Sequence, residues 1–307
     1  MGEWLKDKVA VVTGAGGGIG RGVAMAMAEQ GAKVVVNDLG GSGAGEGASS
    51  RPADAVVEEI KAAGGEAAAN YESVSTMDGG EKIIKTALDS FGRLDILVTC
   101  AGILRDRMLF NMTEAEWDAV INTHLKGTFA CSKPASILFR QQRSGRIITF
   151  TSTSGLYGNA GQANYSAAKS AIAGFTKVVA LDLGRYGVTV NSISPMAGTR
   201  MTMTDEYFAA RAKRDEQGIK REGFGFEALV EDMKPEDVAP LAVYLASDLA
   251  SNINGQIIFI GGGVISYVAP PRPVKTIVKD GRWTVDELID MVPHTLTAGV
   301  ENPAPAQ

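Results

Sequence analysis

Tyr165 and Lys169 set a phenol and an ammonium four residues apart, so on a helix they share one face. A free tyrosine has a pKa of about 10 and is a poor base at neutral pH. A lysine cation beside it favours the phenolate. Lowering that pKa by about three units takes about 4 kcal/mol of differential interaction. A tyrosine tuned in this way can take a proton from an alcohol or give one to a carbonyl. The spacing alone also describes an ordinary helix face. Ser152 changes the reading, because it stands at the end of an apolar strand-like run. The carboxyl ends of parallel strands are where such sheets bind ligands, and a hydroxyl there can hold the substrate oxygen.

A second constellation points to a dinucleotide. Thr13-Gly14-Ala15-Gly16-Gly17-Gly18-Ile19-Gly20 follows a β-branched run and opens a helix-length segment. Amides at a helix N-terminus attract anions, and glycines let a phosphate come close. The pattern is T-G-x-x-x-G-x-G, with Ile19 in the place of the last glycine of G-x-G-x-x-G. Asp38 ends the next apolar run. A carboxylate there can accept hydrogen bonds from the ribose hydroxyls and repels a 2′-phosphate, so NAD is the expected cofactor. Asp38 could otherwise be a solvated turn residue before Gly40-Gly41.

Elements that could position these groups alternate along the chain. Seven strands are expected at Val9 to Val12, Lys33 to Asn37, Glu66 to Tyr71, Asp95 to Val98, Arg146 to Phe150, Val188 to Ile193 and Gln256 to Ile260, with helices between them. Such alternation gives right-handed crossovers and a parallel sheet covered on both faces. One long helix is expected from Glu114 to Phe139. Gly40 to Pro52 reads as a mobile loop. The main domain is expected to span 1–263. A C-terminal extension, 264–307, is too short to be independent and is expected to lie on the domain or on a neighbouring subunit. Within it, Tyr267 to Pro271 reads as a short strand-like piece, and Thr284 and Glu287 have capping-box spacing for a helix through Met291. Asn302 to Gln307 reads as disordered.

Composition narrows the function. The 307 residues carry 30 basic and 35 acidic side chains, a net charge of −5 without a basic block, which argues against nucleic acid. Two cysteines, Cys100 and Cys131, and two histidines, His124 and His294, are too few for a disulfide framework or a multi-histidine metal site. No apolar stretch is long and uninterrupted enough for a membrane span. The N-terminus lacks a signal-peptide core. The sequence thus reads as soluble and cytoplasmic, with no metal.

Taken together, the glycine loop, Asp38, Ser152 and the Tyr165/Lys169 pair resemble the short-chain dehydrogenase/reductase family over about residues 6 to 263. The resemblance implies an α/β Rossmann-type doubly wound sheet of seven parallel strands in three layers. It implies hydride transfer between a nicotinamide cofactor and an alcohol or carbonyl, in a homodimer or homotetramer. It implies cofactor contacts at Gly14, Gly18, Ile19, Gly20, Asp38, Ser73, Val74, Ala101, Gly102, Tyr165 and Lys169, and at Thr199 or Thr202 in the loop that closes on the nicotinamide. Three departures stand out. Thr99-Cys100-Ala101-Gly102 replaces Asn-Asn-Ala-Gly, Ser73-Val74 replaces Asp-Val, and His124 takes the place of the catalytic asparagine, where it could join a proton relay or simply pack.

Val35 to Gly41, Ala101 to Asp106, Gly158 to Tyr165 and Ala197 to Thr202 are similar to the (3R)-hydroxyacyl-CoA dehydrogenase part of peroxisomal multifunctional enzymes and their bacterial relatives. That similarity implies a 3-hydroxyacyl-CoA substrate. A steroid, terpenoid or other cyclic alcohol is the alternative, and a dinucleotide-binding protein without chemistry is a third. Arg105, Arg107 and Arg200 could meet CoA phosphates or be solvated surface residues. Met201 to Glu222 could form a lid or pack in the core.

Overall fold

The computed structural model describes residues 3–197 and 233–300. The expected apolar runs become seven parallel strands: β1 (Val9–Thr13), β2 (Lys33–Asn37), β3 (Ala67–Asn70), β4 (Ile96–Thr99), β5 (Gly145–Phe150), β6 (Val188–Pro195) and β7 (Ile257–Gly261). Successive side chains of a strand leave on opposite faces. Ala10 and Val12 therefore enter one core, and Val9 and Val11 the other. Burial on both faces explains why β1, β2 and β4 are nearly continuous in apolarity, while β6 also buries Thr189, Asn191, Ser192 and Ser194.

An eighth strand, β8 (Val264–Val268), corrects the count of seven. It runs antiparallel to β7 and gives the sheet order β3-β2-β1-β4-β5-β6-β7-β8 among the described residues. Gly262, at φ +54°, turns the chain so that Val264 pairs with Gly261. Ile265 and Tyr267 are exposed, so this edge strand is covered less than the others. It occupies the first five positions of the expected extension, and the chain divides into two compact units after Val268.

The first core packs α1 (Gly18–Glu29), α2 (Arg51–Ala62) and the short helix Ala239–Ala246 on one face of the sheet. The second packs α3 (Met77–Phe91), α5 (Gly127–Gln142) and α7 (Ala163–Gly184) on the other. These are the expected three layers. Two glycines allow close approach on the second face: a Cβ at Gly80 would lie 2.3 Å from the Ala130 carbonyl oxygen, and one at Gly145 2.3 Å from the Phe139 ring.

The helix expected from Glu114 to Phe139 is interrupted. α4 (Glu114–Ile121) begins at a capping box on Thr113 and Glu116, then passes through a π-turn at Asn122–Lys126 into α5. A π-turn widens the helix by one residue without changing its apolar pattern, so periodicity does not reveal it. Short α6 (Thr153–Tyr157) follows β5. Gly40 to Ser50 is the expected loop, and only its end is corrected. Helix α2 already begins at Arg51, and Ser42 to Glu46 forms a turn whose Gly43 carbonyl accepts from Leu104 N at 3.0 Å.

In the second unit, Thr284 and Glu287 form the expected capping box, and the helix runs Val285–His294. Lys279 holds the Glu287 carboxyl down at about 2, helped by the Thr284 amide. No described helix is long and apolar enough to cross a membrane.

Phe139 is fully buried in the second core. Phe139→Ala is expected to cost about 3–5 kcal/mol of unfolding free energy, read from urea denaturation.

Candidate active site

The strand order reverses beside β1, whose neighbours are β2 and β4. At such a switch point a crevice opens beyond the carboxyl ends of the strands. Thr13 ties it together: its hydroxyl accepts from the amides of Cys100, at 3.1 Å, and Ala101, at 3.2 Å, so the ends of β1 and β4 stay in step. The turn from β1 into α1 requires glycine. Gly14 sits at φ +65° with its hydrogen facing Ala101, whose Cα a Cβ would meet at 2.6 Å. A Cβ at Gly20 would lie 2.1 Å from the Gly14 carbonyl oxygen. Gly18 is left-handed too, at φ +53°, and Ile19 packs against the first core.

Helix α1 starts without a side-chain cap and without an acidic residue in its first turn. Its first-turn amides therefore keep no side-chain cap. Asp38 stands at the other side of the loop. Its carboxylate accepts from Gly16 N at 2.8 Å and from Gly40 N at 2.7 Å. Each oxygen keeps a further lone pair for a ribose hydroxyl. An uncapped helix end beside an oriented carboxylate suits a dinucleotide's phosphates and ribose, so the residues present fit that group.

Other expected cofactor residues divide. Ser73 accepts from the Ser75 amide at 3.2 Å, and Val74 is buried against Gly127. Ala101 lines the Gly14 approach. Gly102 faces His124, because a Cβ would lie 2.3 Å from the imidazole Cε1. Thr199, Thr202 and Arg200 lie outside the described residues, as does the whole of 201–222.

The structure brings Ser152, Tyr165 and Lys169 together beyond the end of β5. Ser152 caps α6, accepting from Ser154 N at 3.2 Å. Tyr165 and Lys169 lie one turn apart on α7, with the Lys169 Nζ 5.6 Å from the phenol ring centroid. Nζ donates to the Phe150 carbonyl at 2.7 Å, and the Thr151 hydroxyl donates to the Lys169 carbonyl at 2.7 Å. Gly155 lets α6 press on α7: a Cβ there would be 2.7 Å from the Lys169 carbonyl carbon.

Burial dominates the electrostatics. It pulls the Lys169 ammonium down to about 8. It also pushes the Tyr165 hydroxyl up to about 12, with the Ser152 hydroxyl opposing that rise and Asp106 adding to it. The fold by itself thus holds the phenol in its protonated form. Bringing it near neutrality takes about five units, or about 7 kcal/mol, from charges added to the site.

His124 sits in the π-turn, buried, with its ring edge-on to Tyr165 at 5.1 Å between centroids. Its Nε2 is 2.8 Å from the Ile103 carbonyl oxygen and 3.1 Å from the Ile103 amide. Burial, with the Lys169 charge second, lowers its pKa to about 3, so the ring is neutral at physiological pH.

Sequence reasoning passed over Asn164 and Gln162 as site-builders. Asn164 is fully buried. Its Nδ2 donates to the carbonyls of Arg105, at 3.0 Å, and Glu116, at 3.1 Å, and its Oδ1 accepts from Tyr165 N at 2.7 Å. Gln162 Nε2 donates to Asp106 Oδ2 at 2.7 Å. These bonds fasten the start of α7 to the segment after β4. Their signal was two amides at the entry of an otherwise small-residue, apolar helix. Arg105 donates to the Ala44 carbonyl, at 2.9 Å, and Arg107 to Glu116, at 2.8 Å, so both have internal partners.

Comparison with known proteins agrees with this geometry. The chain matches the short chain dehydrogenase family over residues 8–211. Peroxisomal multifunctional enzyme A of Dictyostelium discoideum is 44% identical over 276 residues, 90% of this chain and 57% of that protein. A 3-oxoacyl-(acyl-carrier-protein) reductase of Synechocystis is 44% identical over 86% of this chain and 99% of its own length. A hydroxyacyl-CoA dehydrogenase of Mycobacterium tuberculosis is 39% identical over 92% of this chain and 87% of its own. The crystal structure of a short chain dehydrogenase from Mycobacterium avium superposes with a TM-score of 0.80 at 43% identity, covering 95% of this chain and 96% of that one. The chain thus spans only part of the multifunctional relatives.

The neutral His124 has a thermodynamic consequence. Its pKa falls from 6.5 to about 3 on folding, so between these values the unfolded chain binds more protons. Stability is therefore complete above pH 6.5 and is lost as pH falls toward 3, by up to about 1.4 kcal/mol per pH unit. Denaturation at pH 7 and pH 5 should show that drop, and His124→Asn should flatten it.

Proposed function

We propose that this chain, which belongs to the short-chain dehydrogenase family, is an NAD-dependent oxidoreductase that interconverts a 3-hydroxyacyl thioester of coenzyme A and the 3-oxoacyl thioester. The observation that carries the reading is the convergence of Ser152, Tyr165 and Lys169 beyond β5, beside a glycine turn that faces Asp38. The relatives named for acyl thioester chemistry supply the substrate class.

The chain's own groups take complementary parts. Ser152 holds the substrate oxygen in reach of the phenol. Tyr165 takes the hydroxyl proton during oxidation and returns it during reduction. Lys169, fixed by the Phe150 carbonyl, places a cation beside the phenol and a donor for the ribose. Asp38 receives the adenosine ribose and repels a 2′-phosphate. Gly14, Gly18, Ile19 and Gly20 present amides to the phosphates. When bound, the oxidised nicotinamide would supply a hydride acceptor and a positive charge. His124 stays neutral, packs on the Tyr165 ring edge and holds the Ile103 backbone, which makes it a positioning residue.

A cyclic secondary alcohol is the second reading. Met108, Leu109, Phe110 and Tyr157 expose apolar surface on the segments that carry Asp106 and lead to Tyr165, a surface that suits a bulky apolar substrate. Phe129 on α5 and Val178 and Leu181 on α7 are also exposed and support a homo-oligomer built on these helices.

A steady-state screen of NAD and NADP against 3-hydroxyacyl-CoA, the free 3-hydroxy acid and cyclic alcohols tests the proposal. The expected result is highest kcat/KM with NAD and the thioester. Tyr165→Phe should lower kcat by about 10²–10⁴-fold while NADH still binds, as read by fluorescence. NADH binding with no turnover on any of these would favour a protein without chemistry. Asp38→Ala should weaken NAD more than NADP, and an unchanged preference would reject the ribose assignment.

A further inference from the structure

The loop between β2 and α2 does not stay over its own strand. Its neck is closed. Ser49 N donates to the Leu39 carbonyl at 2.9 Å, and Gly40, at φ +75°, packs so tightly that a Cβ would lie 1.9 Å from the Ser49 carbonyl oxygen. A loop whose ends meet in this way projects as one body. Its near end is tied to the glycine turn, because the Asp38 carboxylate accepts from both Gly40 N and Gly16 N. Its far end lands on the segment after β4. The Gly43 carbonyl accepts from Leu104 N at 3.0 Å, and the Ala44 carbonyl accepts from Arg105 Nε at 2.9 Å. Arg105 Nη2 also lies 3.9 Å from the Glu46 carboxylate. Gly45 touches the buried Ile103, since a Cβ there would be 2.9 Å from Ile103 Cδ1.

Strand β1 lies between β2 and β4 in the sheet. A loop that leaves β2 and lands beyond β4 therefore passes the carboxyl end of β1, where the glycine turn leads into α1. Phosphates held at that turn would lie between its two attachments. The landing ground is firm, because His124 bonds both the amide and the carbonyl of Ile103. The loop is not. From Gly41 to Ser50 every residue except Ala44 is exposed, so detaching it uncovers little apolar surface. Closure thus depends on a few polar contacts at the far end, and the Arg105 guanidinium makes two of them.

We propose that residues 40–49 form a strap across the dinucleotide crevice and that Arg105 is its latch: the strap detaches there to let the dinucleotide in and out, and the strength of the latch sets the rate of exchange. Arg105 acts through the loop and touches neither substrate nor reacting atoms. A gate that is shut in both the free and the loaded protein slows entry and exit alike, so loosening it speeds both and leaves affinity nearly unchanged. A residue that grips the dinucleotide directly would act through release. The proposal rests on the reading of the crevice as a dinucleotide site, and its test reads cofactor exchange with no substrate present.

Stopped-flow fluorescence of NADH with the full chain gives the association and release rates. In Arg105→Ala both should rise by about three- to tenfold, the effect of losing one hydrogen bond and a weak ion pair. Kd should stay within about twofold. The converse experiment holds the strap down. A Cβ on Gly45 would lie 3.6 Å from the Ile103 Cβ, a separation that suits a disulfide. In the double variant Gly45→Cys with Ile103→Cys, oxidation should slow both rates by about tenfold or more, and reduction should restore them. The reduced form of the same protein controls for the two substitutions. Unchanged rates in Arg105→Ala, a rise in release alone, or an oxidised double variant that exchanges NADH as fast as its reduced form overturns the strap. If the disulfide does not form, the Arg105→Ala rates decide alone. A parent chain that binds no NADH rejects the dinucleotide reading and the strap with it, whereas NADH binding with unaltered exchange rejects the strap only.

Discussion

A buried ammonium held by one carbonyl is the interaction on which the site depends. Lys169 Nζ donates to the Phe150 carbonyl at 2.7 Å, at the last residue of β5. Burial already lowers its pKa to about 8, so the cation survives at neutral pH with little margin. Without that carbonyl the ammonium would lose its hydrogen-bond partner among the described residues and its direction. Strand β5 and helix α7 are thereby obliged to keep a fixed offset. The Thr151 hydroxyl on the Lys169 carbonyl and the bare Cα of Gly155 against the same residue enforce it from two further sides. Helix α7 cannot slide or rotate by a fraction of a turn without breaking several of these contacts.

The site arranges charge so that neither protonation state of Tyr165 is reached too easily. Burial and Asp106 favour the protonated phenol, and the Ser152 hydroxyl favours the phenolate. Removing water is what makes each of these influences large, because charges interact more strongly where solvent cannot screen them. The enclosure also carries a cost. His124 must remain neutral to stay buried, and its Nδ1 has no hydrogen-bond partner among the described residues. Its place against Gly102 and Ile103 fixes the segment after β4, on which Asp106 depends in turn.

How far the sequence could be read follows from what makes a pattern. The seven parallel strands were legible because burial on both faces leaves largely apolar runs. Only the end of β8 was legible, as a short strand-like piece starting at Tyr267, because its pairing back onto β7 through a glycine turn leaves no sign in so short a run. The π-turn at Asn122–Lys126 was invisible, since one inserted residue leaves the apolar spacing almost unchanged. The glycine loop, Asp38, Ser152, Tyr165 and Lys169 were legible because the chemistry restricts residue type at each place. Asn164 and Gln162 were not, because an amide earns its place only through the carbonyls and carboxylate it meets, and those partners lie at a sequence separation of 48 to 59 residues. The raised phenol of Tyr165 was likewise unreadable, since desolvation is a property of the assembled core and of no residue pair.

The same distinction explains why glycines mark this site so densely. At Gly14, Gly20, Gly102 and Gly155 the nearest obstacle to a side chain is backbone or the His124 ring, 2.1 to 2.7 Å from where a Cβ would sit. Three of these four close approaches bring the ends of β1, β4 and β5 against helices α1 and α7 or the π-turn. A fold that gathers its functional groups beyond strand ends must bring chain segments together where no regular sheet or helix spacing holds them apart. Side chains would prop those segments open, so small residues accumulate there for geometric reasons before any ligand is considered. A glycine-rich turn is therefore weak evidence of phosphate binding by itself. Asp38 on the Gly16 amide is what separates a cradle from a tight turn, because it adds an oriented acceptor that close packing alone does not require.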